Sequence, residues 1–223
     1  MIRYALIVAG GSGKRMGTDI PKQFLELSGK PLLMRSIERF WSFDNSIRII
    51  TVLPEDQIIF WGELQKKHSF SIPNIVVAGG PERFYSVKNG LDQVEDDSLV
   101  AIHDGVRPLV SSATIKRCFD MARESGNAVP VICPADSIRR VTEQGNIPVN
   151  RQYLRIIQTP QVFDSKLIKK AYLQDYSPEF TDDATLLEKT GEVIHLVDGN
   201  RENMKITNPG DLAMAEALFK TIF

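Results

Sequence analysis

A chain of 223 residues with 43% hydrophobic residues and a formal net charge of −1 has material for one sizeable core and no excess of cations. That balance, with no basic tail, points away from nucleic acid as a partner. The opening "MIRYALIVAGG" is too short an apolar run to span a bilayer and has no signal-cleavage pattern, so no membrane association or export is expected. Cys118 and Cys133 have no CxxC spacing and no nearby His pair. They are expected as two buried thiols in a reducing, cytoplasmic setting.

Taken in chain order, apolar runs alternate with helical patterns. Residues 4–9, "YALIVA", read as a buried strand, and 32–41, "LLMRSIERFW", have helical spacing. A second strand, "IRIITVL", precedes a helical stretch in "DQIIFWGELQKKH". "NIVVAGG" is a third strand, followed by a helix in "FYSVKNGLDQV" whose Gly90 weakens the pattern. "SLVAIHDG" is a fourth strand, "ATIKRCFDMARES" a helix ending at Gly126, and "NAVPVIC" a fifth strand. The alternation predicts an α/β fold, Rossmann-like, with a mostly parallel sheet covered by helices on both faces. In such sheets ligands lie beyond the C-terminal strand ends. The first, third and fourth strands run into "GGSGKR", "GGPERF" and "HDGVRP", so the unusual chemistry gathers on one edge.

The pattern changes over residues 136–163, where short runs break at "QGN" and arginines replace core-facing periodicity. This segment is expected to be a projecting β-hairpin arm on a single domain spanning 1–223. Beyond it come a helix from Asp164, another near "DDATLLEKTG", a strand "EVIHLV" and a last helix capped by Asn208 or Asp211.

The loop "VAGGSGKRMG" fits neither well-known glycine-rich motif. Gly13-Lys14 is followed by Arg15 rather than Ser or Thr, and Met16 stands where the dinucleotide fingerprint needs a small residue. What remains is backbone able to wrap phosphates with its N–H groups, beside the cations Lys14, Arg15 and Lys22. A triphosphate suits that combination. The plainer reading is a glycine-rich turn with solvated lysines.

"GGSGKRM" followed by "PKQF" resembles the signature loop of nucleotidyltransferases. With "GGPERFYSV", "HDGVRP", "QTPQVF", "TDDA" and "NMKIT" in order, nearly the whole chain resembles the 2-C-methyl-D-erythritol 4-phosphate cytidylyltransferases. The resemblance implies attack of a substrate phosphate oxygen on the α-phosphorus of CTP, with Mg²⁺ as cofactor and pyrophosphate as the leaving group. It implies catalytic roles for Arg15, Lys22 and Lys205. CTP would be held by Ala9, Gly10, Gly11, Gly13, Lys14, Gly79, Arg83 and Ser86. Asp104 and Arg107 would serve the second substrate, a polyol phosphate, and Asp104 also the metal. Arg151 and Thr159, on the arm, would hold the alcohol's phosphate across a homodimer, the arm being the dimerisation element. The family's usual "HDAARP" is here "HDGVRP", a departure at Gly105 and Val106. His103 is read as orienting its loop. Two alternatives stand beside this reading, a ribitol 5-phosphate cytidylyltransferase and a non-catalytic nucleotide-binding protein of the same fold.

Overall fold

The structure, a computed structural model, describes residues 1–10 and 20–222; Gly11, Gly13, Lys14 and Arg15 lie outside them. In chain order the first elements are β1 (Ile2–Val8), β2 (Glu26–Leu27), β3 (Lys30–Pro31), α1 (Leu32–Phe43), β4 (Arg48–Leu53) and α2 (Ile58–Lys67). Next come β5 (Asn74–Ala78), α3 (Arg83–Leu91), β6 (Ser98–Asp104), α4 (Ser112–Ser125) and β7 (Asn127–Ile132). The chain continues through β8 (Ile138–Thr142), β9 (Gly145–Val149), β10 (Ile156–Ile157), β11 (Gln161–Asp164), α5 (Ser165–Ala171), α6 (Asp183–Glu188), β12 (Leu196–Asp198) and α7 (Pro209–Ile222).

Among the described residues the main sheet runs β10-β7-β11-β6-β1-β4-β5, with β12 added alongside β7. β1 lies between β4 and β6 and is parallel to both, and β4 is parallel to β5. Side-chain alternation fills both faces. Ala5 and Ile7 join Ile49, Leu99 and Ala101 under α1 and α4, whereas Tyr4, Leu6 and Val8 join Ile50, Val100 and Ile102 under α3 and α5. Gly90 is what lets α3 settle on the second face. A Cβ there would overlap Cδ1 of Leu6 and stand 2.9 Å from Cγ2 of Val52. The residue that weakens the helical pattern in sequence is thus the residue the packing requires.

The helix ends follow their signals. Ser111 accepts from the Thr114 amide at 3.1 Å, and Gly126 closes α4 at φ 83°. At α7 both predicted caps operate together. The Asn208 side chain accepts from the Asp211 amide, and Asp211 accepts from the amides of Asn208 and Thr207.

Three expectations need correction. The projecting hairpin is only β8 and β9, which pair with each other and, among the described residues, with no other strand. The rest of the 136–163 segment returns to the sheet, where β11 runs antiparallel between β6 and β7 with Val162 and Phe163 fully buried. Four residues are too few to show a period, so "QVFD" gave no strand signal. Of "EVIHLV" only Leu196 and Val197 pair, in strand β12, which runs on to Asp198 beyond it. Finally, Cys118 is buried but Cys133 is exposed, because β7 ends one residue earlier and the chain there turns out toward the hairpin.

Candidate active site

The site begins where the sheet ladder outlasts its strands. The Ala9 amide donates to the Val52 carbonyl at 2.9 Å, Gly79 to Leu53 at 2.7 Å and Gly105 to Val8 at 2.8 Å. These bonds set the residues just after β1, β5 and β6 (Ala9, Gly79 and Gly105) side by side on one edge of the sheet. Ser86, at the start of α3, then shapes the β5 loop. Its hydroxyl accepts from the Gly80 amide at 3.1 Å and donates to the Glu82 carbonyl at 3.1 Å.

Lys22 opens a single 3-10 turn, Lys22–Phe24, set by Pro21. Two neighbours anchor that turn. Gln23 is buried and donates to Oε1 of Gln57 at 2.5 Å, and Phe24 packs edge-on against Phe60 and stacks with Trp61.

Asp104, at the end of β6, is the electrostatic centre. Its Oδ2 receives Nε of Arg107 at 2.9 Å and lies 3.2 Å from Nζ of Lys205. Burial alone would raise this carboxyl, but Lys205, Arg83 and Arg107 hold it well below the usual carboxylate range. Asp104 is therefore an anion at neutral pH. Lys205 is aimed by buried flanking anchors. Asn203 donates to the Thr159 carbonyl at 2.7 Å, and the Ile206 amide donates to Val106 at 3.0 Å.

Beneath Asp104 runs a chain of hydrogen bonds. The Asp104 amide donates to the Thr159 hydroxyl at 3.1 Å, and that hydroxyl faces Nδ1 of His103 at 3.1 Å. Nε2 of His103 lies 3.1 Å from the Arg107 carbonyl. A carbonyl only accepts, so the proton sits on Nε2 and Nδ1 accepts from Thr159. Burial pushes His103 down to about 4, so it stays neutral. This agrees with the orienting role expected for it.

Arg83 is clamped from behind. Its terminal nitrogens donate to both oxygens of Asp183, at 2.8 and 2.6 Å, and Asp183 is completely buried. The hydroxyl of Tyr172 adds a third bond to Asp183 at 2.5 Å.

Two cavities open on this edge. The first, about 250 Å³, is lined by Ala9, Gly10, Lys22, Gly80, Ser86 and the trio Arg83, Asp104 and Lys205, among others. The second, about 260 Å³, is lined by the same trio with Arg107, Gln158, Thr159, Gln161, Thr181 and Asp182. A common wall of two cations and one carboxylate therefore separates a glycine-lined chamber from a polar one.

Of the residues expected from sequence, Ala9, Gly10, Lys22, Arg83, Ser86, Asp104 and Lys205 meet at the first chamber, and Arg107 and Thr159 join at the second. Gly79 supports the floor from below through its bond to Leu53. Thr159 departs from the expectation. It is not on the hairpin but is buried between β10 and β11, its hydroxyl committed to Asp104 and His103 within the same chain. Arg151 is exposed near the hairpin base, bonded to the Ala135 carbonyl, and lines neither chamber of its own chain. Gly105 also has a reason: a Cβ there would stand 3.0 Å from Cβ of Ala9 and 3.1 Å from Cδ1 of Leu33. Asp183, Tyr172 and Asn203 were missed as site residues. Asp183 and Asn203 lie in or beside the quoted motifs "TDDA" and "NMKIT", so a signal existed; Tyr172 carried none.

Comparison with known proteins agrees with this geometry. The profile of the family described as 2-C-methyl-D-erythritol 4-phosphate cytidylyltransferase matches residues 3–221. A protein of that name from Bacteroides fragilis is 51% identical over 98% of this chain and 100% of its own length. Another, from Bacteroides thetaiotaomicron, is 47% identical over 98% of this chain and 100% of its own. Among solved structures, the 4-diphosphocytidyl-2C-methyl-D-erythritol synthase of Anaerococcus prevotii superposes with a TM-score of 0.83 at 28% identity, covering 98% of this chain and 96% of that one. The Thermus thermophilus cytidylyltransferase gives 0.77 at 29%, covering 99% and 100%. With its glycine-lined chamber, its cationic wall and a family match over nearly every residue, the chain belongs to the 2-C-methyl-D-erythritol 4-phosphate cytidylyltransferase family.

Proposed function

We propose that the protein transfers the cytidylyl group of CTP to 2-C-methyl-D-erythritol 4-phosphate, giving 4-diphosphocytidyl-2-C-methyl-D-erythritol and pyrophosphate. The observation that carries this reading is the pair of chambers sharing Arg83, Asp104 and Lys205. Joining two phosphorylated substrates requires two sites that meet at one phosphorus, with cations at the meeting point. CTP takes the first chamber, where small residues and backbone at Ala9, Gly10 and Gly80 allow close approach of the nucleotide. The alcohol phosphate takes the second. An oxygen of its phosphate attacks the α-phosphorus in line, the new P–O bond forms, and the bond to pyrophosphate breaks. No covalent enzyme intermediate is needed, so positioning and charge stabilisation do the catalysis. Lys22 and Lys205 lie on the first chamber and meet the charge that develops at the α-phosphorus; Arg15, outside the described residues, would add a further cation.

Mg²⁺ belongs to this reading as an ion that arrives on the triphosphate. Among the described residues no three metal-binding side chains cluster, which does not fit an all-protein cage. The single carboxylate of Asp104 does fit an ion held mainly by phosphate oxygens. Such an ion would neutralise the triphosphate and ease departure of pyrophosphate.

The hairpin supports a homodimer. β8 and β9 stand off the sheet, and Val141, Ile147 and Tyr153 are exposed in this region. Arg151, unused by its own chain's chambers, is then available to a neighbour's alcohol phosphate. Two free thiols and the absence, among the described residues, of a helix able to cross a membrane are in keeping with a cytoplasmic enzyme.

The deciding experiment is pyrophosphate release from CTP with methylerythritol phosphate and, separately, ribitol 5-phosphate. Turnover with the first and little with the second is expected. The reverse would assign the ribitol reaction, and none with either would leave a binding protein.

A further inference from the structure

Arg83 sits on the wall common to both chambers, yet its charge is already matched by a buried carboxylate. A carboxylate with no exposed surface is costly unless fully paired. Here the pairing is complete and directional: both oxygens of Asp183 accept from the Arg83 fork, and one also accepts from Tyr172. Burial, then the neighbouring Asp183, raises the Tyr172 phenol well above its ordinary value, so it remains a donor. Asp183 is held in turn by α6, of which it is the first residue. Asp182 caps that helix by accepting from the Thr185 amide at 2.8 Å and takes a bond from Gln161 at 2.8 Å. Gln161 returns its Oε1 to the Ala184 amide at 2.9 Å. The clamp is therefore continuous with β11 and the sheet.

The bidentate bond spends one N–H on each terminal nitrogen of Arg83. Nε–H and one N–H on each terminal nitrogen remain, and the side chain is 32% exposed. We propose that Asp183, locked by Tyr172, is a positioning residue for the reaction, fixing the Arg83 fork so that its remaining N–H groups face the phosphate shared between the two chambers. Asp183 cancels the net charge of Arg83. What Arg83 brings to the reacting phosphate is thus direction rather than raw attraction, and Lys22 and Lys205 carry the attraction.

This rests on the cytidylyl-transfer reading, so the test has one arm that does not use activity. In ¹⁵N spectra the terminal nitrogens of Arg83, assigned by their loss in Arg83→Gln, should be separate in the wild type because the clamp stops rotation. They should average in Asp183→Asn and partly in Tyr172→Phe. Averaged signals in the wild type would overturn the clamp whatever the enzyme's substrates. In the kinetic arm, Asp183→Asn should lower kcat on the order of 10²-fold, the scale of a misplaced catalytic group, while the Kd for CTP by calorimetry barely changes. Added to Arg83→Gln, the same change should cost nothing more. Wild-type turnover in folded Asp183→Asn, or losses that multiply in the double variant, would overturn the proposal. If Asp183→Asn does not fold, Tyr172→Phe decides in the same way through kcat. Failure of the substrate reading shows separately, as no pyrophosphate release by the wild type.

Discussion

The hydroxyl of Thr159 donates to Nδ1 of His103 across 3.1 Å, with both residues buried directly beneath Asp104. Protonating Nδ1 would turn an acceptor into a donor facing a donor. An unfolded histidine titrates near 6.5 and this one near 4, so as pH falls the unfolded chain takes up the proton first. Stability is full above the upper value and is lost progressively down to the lower one, by about 3 kcal/mol. Thermal unfolding of the ligand-free, chelated protein should therefore weaken between these two pH values. His103→Gln should flatten that stretch of the profile; an unchanged slope would assign it to another group.

Thr159→Val removes one hydroxyl and strands two partners, the Asp104 amide and Nδ1 of His103. The expected loss is about 1–3 kcal/mol of stability per stranded buried group. Thr159→Ser, which keeps the hydroxyl, should recover most of it. Denaturant titration of the two variants measures the difference.

Lys22→Ala should lower kcat by on the order of 10²-fold, the usual scale for one electrostatic contact to a charged transition state. CTP binding by calorimetry should fall much less. Steady-state kinetics beside that binding measurement would remove Lys22 from the chemistry if kcat stayed near the wild type.

If Arg151 serves the neighbouring subunit's alcohol phosphate as proposed, Arg151→Ala should raise the KM for methylerythritol phosphate strongly; CTP binding should be nearly untouched, since the guanidinium does not line the nucleotide chamber of its own chain. On the proposed homodimer, mixing Arg151→Ala chains with Lys22→Ala chains should restore part of the activity, because one site in each mixed dimer would have both residues. No recovery after demonstrated subunit exchange would show that the arm serves its own site.

Gly90→Ala tests the packing of α3. Alanine is the better helix former by about 1 kcal/mol, yet its methyl would overlap Leu6, which is fully buried and has no room to yield. A net destabilisation of about 1–3 kcal/mol is expected. A gain in melting temperature would contradict the close approach.

Long periodic elements were legible in the sequence because each repeats its signal over several residues, as in α1 and α4 and in the apolar runs of β1, β4 and β6. The placing of the chemistry at the ends of β1, β5 and β6 followed from that order. β11 was not legible: four residues after a proline carry no period, and only the long-range pairing with β6 and β7 makes them a strand. Thr159 went astray with it, since its position depends on where that strand re-enters the sheet. The partner of Arg83 was hidden for a different reason. The motif "TDDA" marked Asp183, but a clamp across 100 positions of sequence leaves no local pattern that would pair it with Arg83.

The common wall also bears on how the reaction ends. Under the proposed reaction the product carries both halves, nucleotide and alcohol, and so must lie across both chambers at once, with its diphosphate bridge against Arg83, Asp104 and Lys205. It should then exclude either substrate from a free enzyme, inhibiting competitively against each. Pyrophosphate, held only on the nucleotide side, should leave the alcohol's chamber open.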